Sequence, residues 1–137
     1  MQYAALLFVL SLPALVRGTI LAPSFSEVDV FRQGAEGYSC YRIPSLLRLP
    51  SGALVLFAEG RKNSCDDHGY VDIVLKRSSD NGSSWGPLEL VHSNSTDREQ
   101  HTIGNPSPVV VGGRVLLVFC RDNLRVLTLR SHDGEAT

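Results

Sequence analysis

PSLLRLPSGALVLFAEGR (residues 44–61) and PSPVVVGGRVLLVFCR (residues 106–121) follow one plan, and this repetition decides the fold. Each copy contains Pro-Ser, an apolar strand, a turn with glycine, a second apolar strand and an arginine. A further predicted strand and a Ser-x-Asp triplet follow each copy. Repeated four-stranded units of this length are typical of the blades of a β-propeller. The sequence therefore predicts two successive propeller blades.

The rest of the chain after residue 18 also reads as short strands. Turn residues such as Asn81-Gly82 and Gly112-Gly113 separate apolar runs, and no stretch keeps a helical period. The first copy carries a longer insertion than the second, around residues 61–70. The chain is predicted to be all-β, with strands at residues 28–32, 45–49, 53–58, 71–77, 88–92, 107–111, 114–120 and 124–130.

Two blades cannot close a propeller ring, which typically contains about four to eight blades. The chain also ends inside the second copy, before a fourth strand. We therefore expect residues 19–137 to be the N-terminal part of a longer propeller domain. A small, complete two-sheet domain is the alternative.

The N-terminal 18 residues predict a secretory signal peptide. Residues 4–16 are apolar apart from Ser11 and Pro13, and this run is too short to span a bilayer. No other apolar run is long enough for a membrane anchor, so the protein is expected to be secreted or to reside in the lysosomal or endomembrane lumen. The net charge of −1 gives no electrostatic case for binding nucleic acid.

Cysteine, histidine and asparagine positions add weaker constraints. The odd count of three cysteines implies a free thiol, an intermolecular bond or a partner outside this chain; they are Cys40, Cys65 and Cys120. Sequons at Asn81 and Asn94 are compatible with secretion. The histidine spacing gives no zinc motif and no glycine-rich phosphate loop occurs, so we expect neither a metal nor a cofactor.

Arg42 stands out because it interrupts an apolar strand in Tyr41-Arg42-Ile43-Pro44. A guanidinium is rarely buried without a partner. It is always charged, and its planar fork matches a carboxylate. Arg42 is therefore predicted to bind an anionic ligand, or else to pair with a neighbouring acidic side chain.

SSDNGSSW (residues 78–85) has the pattern Ser-x-Asp-x-Gly-x-Ser-Trp. Asp80 can accept backbone hydrogen bonds within a tight turn, Gly82 permits a positive φ, and Trp85 can pack beneath the blade. This stretch resembles the Asp box of sialidases and other propellers. Asp boxes are folding elements, so Asp80 is predicted to be structural and not catalytic.

In order and spacing, the YRIP tetrapeptide, Ala58-Glu59-Gly60-Arg61 and the Asp box resemble the exo-α-sialidases. The resemblance implies a six-bladed propeller in which three arginines grip the carboxylate of sialic acid, and Arg42 corresponds to the first of them. Arg61 is expected in the same pocket. The implied general acid/base lies on the loop that follows. Ungapped counting favours Asp67, whereas a one-residue gap favours Asp66, and a solvated surface loop without a catalytic role is the alternative.

The second blade contributes two further candidates. Asn105, in Gly104-Asn105-Pro106-Ser107-Pro108, resembles an element beside the family's pocket and could contact polar groups of the sugar. It could equally only shape the turn before proline. Arg121 occupies the repeat position of Arg61 and is a candidate for facing the pocket.

The resemblance implies hydrolysis of terminal α-linked sialic acids from glycoproteins, glycolipids and oligosaccharides, with retention of configuration. Sialidases use a tyrosine nucleophile, which a glutamate activates. The resemblance assigns this tyrosine, its glutamate and the remaining arginines to later blades, and Tyr41 and Tyr70 do not match, so the isolated chain is expected to be inactive. The alternatives are a non-catalytic Asp-box propeller that binds glycans or proteins, and a propeller glycosidase acting on other sugars.

Overall fold

The computed structural model describes residues 24–96 and 98–131, and the regular structure in these residues is entirely β. The predicted signal peptide, residues 1–18, lies outside them, as does most of the second Ser-x-Asp segment. The described part of the chain contains no helix that could cross a membrane. The strands are β1 (Cys40–Arg48), β2 (Leu54–Arg61), β3 (Val71–Ser78), β4 (Glu89–His92), β5 (Ile103–Val111), β6 (Arg114–Arg121) and β7 (Arg125–Arg130).

The strands form two antiparallel sheets that follow the sequence repeat. Strands β1 to β4 form a four-stranded sheet in chain order, and β5, β6 and β7 form a three-stranded sheet. Antiparallel neighbours joined by short turns explain why turn residues lie between the apolar runs. The predicted all-β repeat of two sheets is confirmed.

The main hydrophobic core lies between the two sheets. Because side chains alternate along a strand, one face of each sheet carries every second residue. The first sheet contributes Val55, Phe57 and Ile73, and the second contributes Leu117 and Phe119; all five are nearly inaccessible to solvent. In β2 the same face continues past Phe57 to a glutamate and an arginine, so the apolar interface ends in charged side chains.

The predicted strand at residues 28–32 is wrong. This segment has no strand, and it lies against the opposite face of the first sheet. Phe31 stacks on Tyr41 with ring centroids 4.9 Å apart, and the Tyr41 hydroxyl donates to the Ala35 carbonyl at 2.9 Å. Gly34 and Gly37 have φ angles of 77° and 86° and bend the backbone repeatedly. Phe31 is therefore partly buried by packing on the sheet, without a pairing strand.

Two predicted strand starts are also wrong, and for the same reason in both blades. Strand β1 begins at Cys40 and β5 at Ile103, ahead of Pro44 and Pro106, whereas the predicted strands begin at residues 45 and 107. The pairing register shifts between Arg42 and Ser45, and again between Gly104 and Ser107. A β-bulge tolerates proline, which has no N–H to give to the ladder. Each strand therefore continues through its proline.

The residue before each of these prolines has a left-handed backbone. Ile43 has a φ of 53° and Asn105 a φ of 56°. Asparagine tolerates this conformation, but a β-branched residue is strained there. The two blades thus use the same bulge, and only the first carries an unfavourable residue in it.

Replacement of Ile43 by asparagine is expected to raise the free energy of unfolding by about 1 kcal/mol, because the bulge then holds a residue that accepts a positive φ. Little packing is lost, since Ile43 is 37% exposed. Ile43→Val is the matched control and keeps the β-branched strain. Denaturant unfolding of the purified variants measures the difference, and an asparagine variant less stable than the valine variant would contradict it.

The Asp box forms the tight turn that its sequence predicts. Oδ1 of Asp80 accepts the Ser84 amide N–H at 2.9 Å and the Ser78 hydroxyl at 2.7 Å, and Oδ2 accepts the Ser84 hydroxyl at 2.6 Å. The hydroxyl and the amide of Ser84 are the leading cause of a pKa of Asp80 lowered to about 2. Gly82 has a φ of 88°. The Asp80 carboxylate therefore bonds to residues of its own turn, which confirms its predicted structural role.

Candidate active site

Charged side chains lie close together where the start of β1 and the end of β2 extend beyond the apolar core. Strand pairing sets Cys40 opposite Arg61 and Arg42 opposite Glu59. Directly opposed residues in an antiparallel pair point to the same side of the sheet, as do residues two apart in one strand. All four therefore lie on the face that farther along carries the core, and the loop of residues 62–70 leaves this same corner.

Arg61 and Glu59 form a buried ion pair. Nε and Nη2 of Arg61 donate to Oε2 of Glu59 at 3.0 and 2.6 Å, and both side chains are only 4% exposed. Oε1 of Glu59 accepts the backbone N–H of Asn105 at 2.9 Å. A Cβ on Gly104 would collide with the Glu59 carboxylate, so glycine is required there. The pair joins the first blade to the second.

The remaining nitrogen of Arg61 holds the loop. Nη1 donates to the carbonyl oxygens of Cys65 and Asp66, both at 2.7 Å, and to Oδ1 of Asp67 at 2.9 Å. Burial by itself lowers the pKa of Arg61, but hydrogen bonds to Glu59 and Asp67 outweigh that effect and the pKa is raised. Arg61 therefore stays charged, and its donors contact protein acceptors. Direct contact between Arg61 and a substrate stays a prediction.

Arg42 meets Asp67 at the open side of this cluster. Nη1 of Arg42 lies 2.7 Å from Oδ1 of Asp67, and the two side chains are 46% and 69% exposed. The pKa of Asp67 is lowered, first by the hydrogen bond from Arg61 and then by the positive charges of Arg42 and Arg61. Asp67 is thus a carboxylate that faces solvent.

The two candidate acids point to different partners. The carboxylate of Asp66 accepts the hydroxyl of Ser64 at 2.8 Å, two residues earlier in the same loop. The carboxylate of Asp67 contacts two arginines from two different strands. Only Asp67 is therefore brought to Arg42 and Arg61.

A disulfide bond also joins strand and loop. Cys40 and Cys65 are bonded with their Cα atoms 5.3 Å apart, and Cys120 is a free thiol. Of the alternatives left open by the odd cysteine count, the structure has one intramolecular bond and one free cysteine.

Asn105 and Arg121 lie in the second blade and have different surroundings. Asn105 shapes the bulge before Pro106 and gives its backbone N–H to Glu59. Arg121 has Nη2 2.9 Å from Nε2 of His101 and Nε 3.5 Å from a carboxylate oxygen of Asp122. Contact between a substrate and either Asn105 or Arg121 stays a prediction.

Neither tyrosine near the site has the features of a nucleophile. The Tyr41 hydroxyl is a donor to a backbone carbonyl, and burial followed by the charge of Glu36 raises the pKa of Tyr41 to about 12. The Tyr70 hydroxyl donates to the Ser95 carbonyl at 3.4 Å. In residues 24–96 and 98–131, no cluster of three or more histidine, cysteine or acidic side chains could hold a metal.

Three residues of this site were not predicted from the sequence: Glu59 as the partner of Arg61, and the bonded pair Cys40 and Cys65. A signal for each was present. Glu59 stands two residues before Arg61 in a strand, so the two side chains had to share a face. Each cysteine stands two residues before a predicted site residue, Arg42 or Asp67.

Comparisons with known proteins point to one enzyme class, although no family model matches the chain. The chain is 35% identical over 114 residues to an exo-alpha-sialidase of Aspergillus fumigatus, a match covering 72% of this chain and 27% of that protein. It is 34% identical over 88 residues to a sialidase of Micromonospora viridifaciens (64% of this chain, 14% of that protein). It is 36% identical over 92 residues to sialidase-2 of Mus musculus (64% and 23%).

Solved structures of sialidases share the fold of the described residues. Trypanosoma rangeli sialidase in complex with sialic acid matches with a TM-score of 0.63 and 16% identity, over 81% of this chain and 24% of that one. Hadza microbial sialidase Hz136 matches with a TM-score of 0.60 and 22% identity, over 74% and 25%. The two described sheets therefore have the fold of blades in a sialidase β-propeller.

The class defined by fold and site is thus a sialidase-type propeller, with an exposed arginine–aspartate pair at one end of its blade interface. The chain is a homologue of the sialidases. It spans only 14% to 27% of the length of the first three curated relatives it matches.

Proposed function

We propose that this chain is the N-terminal part of an exo-α-sialidase that hydrolyses terminal α-linked sialic acids from glycoproteins, glycolipids and oligosaccharides. In this proposal Arg42 binds the carboxylate of the sugar, and Asp67 is the general acid and then the general base. The observation that carries the proposal is the solvent-exposed contact of 2.7 Å between Nη1 of Arg42 and Oδ1 of Asp67.

Arg42 is suited to an anionic ligand because it is not enclosed. Its only partner among the described residues is an exposed carboxylate, and Nη1 alone makes that contact. The other N–H groups of its guanidinium have no acceptor in the described part of the chain. A carboxylate can therefore pair with the guanidinium through two parallel hydrogen bonds. Arg61, by contrast, is committed to Glu59 and the loop.

The same contact explains how Asp67 could gain a proton. A general acid needs a pKa near the working pH, yet the hydrogen bond from Arg61 and the charges of Arg42 and Arg61 lower the pKa of Asp67. A substrate carboxylate bound to Arg42 neutralises one of these charges and displaces water, and both effects raise the pKa of Asp67. Asp67 then protonates the glycosidic oxygen as the C–O bond breaks, and later removes a proton from the attacking water.

The rest of the machinery is proposed to come from blades outside this chain. A tyrosine nucleophile, its glutamate and two further arginines complete the reaction with retention. We also propose that the protein is secreted or resides in the lysosomal or endomembrane lumen. The disulfide supports this location, because such bonds persist in oxidising compartments.

The test uses the full-length protein, with sialyllactose as substrate. Arg42→Met is expected to lower kcat/KM by about 10- to 100-fold, since charge-assisted hydrogen bonds to the substrate carboxylate are lost. Arg48→Met is the matched control, because Arg48 is exposed on the same strand away from the cluster. Equal effects of the two substitutions would contradict the proposal, and binding of sialosides without turnover by the unaltered protein would favour a non-catalytic propeller.

A further inference from the structure

The disulfide connects the two segments that carry the proposed site residues. Cys40 stands two residues before Arg42 in β1, and Cys65 stands two residues before Asp67 in the loop. The bonded cysteines have Cα atoms 5.3 Å apart. The residues two positions after these cysteines, Arg42 and Asp67, are joined by a contact of 2.7 Å between Nη1 and Oδ1. The covalent bond and the ionic contact thus lie side by side, on the same pair of backbone segments.

Hydrogen bonds also hold this loop, although residues 63–68 are exposed and contain no regular structure. Nη1 of Arg61 donates to the carbonyls of Cys65 and Asp66 and to the Asp67 carboxylate in the middle of the loop. At the ends of the loop, the Lys62 N–H donates to the Tyr70 carbonyl at 3.0 Å, and the Gly69 N–H donates to the Thr102 hydroxyl at 3.1 Å. The bond between Cys65 and Cys40 is the covalent restraint within this loop, two residues before Asp67.

We propose that the Cys40–Cys65 disulfide is a positioning element for proton transfer by Asp67, an inference that rests on the proposed function. A general acid acts only within hydrogen-bond reach of the leaving oxygen. A displacement of about 1 Å can lower the rate by about 100-fold. The bond keeps the loop against β1, so Asp67 stays at the site where Arg42 receives the carboxylate. Without it, the exposed loop samples positions from which Asp67 does not reach the leaving group.

The test exploits the leaving group. Lactose would leave sialyllactose as a poor alkoxide and needs a proton, whereas 4-nitrophenol leaves a 4-nitrophenyl sialoside as a stable phenolate and does not. In the full-length protein, Cys40→Ser/Cys65→Ser is expected to lower kcat/KM for sialyllactose by about 10- to 100-fold. The kcat/KM for the 4-nitrophenyl sialoside, which covers only the steps up to formation of the glycosyl-enzyme, should fall by less than about 3-fold, because departure of the phenolate does not depend on general acid catalysis. Cys120→Ser, which removes the free thiol, should leave both rates unchanged.

A merely structural role would lower both rates together, because less folded enzyme affects every substrate equally. Equal losses with the two substrates would therefore overturn the inference. If the double variant does not fold, the folded enzyme is treated with a phosphine reductant, and mass spectrometry verifies that Cys40 and Cys65 are reduced. The selective loss on sialyllactose should then appear, and it should reverse on reoxidation; an unchanged ratio of the two rates would overturn the inference.

A parallel Asp67→Asn variant separates this inference from the proposed function. Selective loss on sialyllactose in both Asp67→Asn and the cysteine variant supports both. Selective loss in Asp67→Asn alone rejects the positioning role and leaves the proposed function standing. If Asp67→Asn itself shows no dependence on the leaving group, the proposed acid is wrong and the positioning inference fails with it.

Discussion

Replacement of Asp67 by asparagine is expected to lower kcat for sialyllactose by about 100- to 10,000-fold, the usual contribution of general acid–base catalysis. Asparagine has nearly the same shape, and its amide oxygen can still accept from Arg42 and Arg61. What is lost is the ability to give and take a proton. The variant should therefore keep its KM within a small factor while kcat falls, as measured by steady-state kinetics on the full-length protein.

Asp66→Asn is the control for this prediction, because it changes the neighbouring residue of the same loop by the same chemistry. The carboxylate of Asp66 contacts Ser64 and not the arginines, and the substitution keeps the backbone carbonyl that Arg61 contacts, so kcat should stay within about 3-fold of the unaltered protein. A large loss in Asp66→Asn with little effect in Asp67→Asn would reverse the assignment. In that event the acid would be the residue given by the gapped alignment.

Replacement of Glu59 by glutamine is expected to lower the free energy of unfolding by about 3–5 kcal/mol, because it leaves the positive charge of Arg61 buried without its partner. Glu59 and Arg61 are both only 4% exposed, so water cannot take over the lost interaction. The amide of glutamine would also place a donor near either Arg61 or the Asn105 N–H, both of which need an acceptor. Denaturant unfolding measures the loss.

Glu89→Gln is the matched control for the buried pair. Glu89 pairs with Arg77 at 3.0 Å, but the two side chains are 38% and 24% exposed. Its replacement should cost at most about 1 kcal/mol, as is usual for ion pairs near solvent. Similar losses in Glu59→Gln and Glu89→Gln would show that burial of the Glu59 pair is not what makes it important.

A double replacement, Glu59→Leu/Arg61→Met, would separate stability from activity. Removing both charges avoids an uncompensated buried ion, so the double variant should recover much of the stability lost in Glu59→Gln. Activity on sialyllactose should not recover with it, since Nη1 of Arg61 no longer holds the loop carbonyls of Cys65 and Asp66.

The repeat in the sequence was enough to predict the two sheets. Strand periodicity and turn residues are local properties, and antiparallel strands joined by short turns pair with their neighbours. The local role of Asp80 was predictable for the same reason, since its acceptors and donors lie within a few residues. The strand predicted at residues 28–32 failed because alternating apolar residues also suit a segment that packs on a sheet without pairing.

The two β-bulges could not be predicted from the local sequence of a strand. The predicted strands at residues 45–49 and 107–111 each begin just after a proline, yet β1 runs through Pro44 and β5 through Pro106. Whether a missing N–H is tolerated depends on the register of the partner strand, which the sequence of one strand does not contain.

By itself, the sequence determined the all-β repeat and the Asp box, because these depend on residue type and on spacing over short distances, and its resemblance to the exo-α-sialidases gave the candidates Arg42 and Asp67. Only the tertiary structure decided that Cys40 bonds to Cys65, that the pair of Arg61 and Glu59 is buried, and that the carboxylate of Asp67 rather than that of Asp66 contacts the arginines. The physical reason is that the disulfide, the burial of the pair and the contacts of Asp67 depend on where β1, β2 and the loop come together in space. Spacing along the chain cannot specify that distance or the direction in which a loop side chain points.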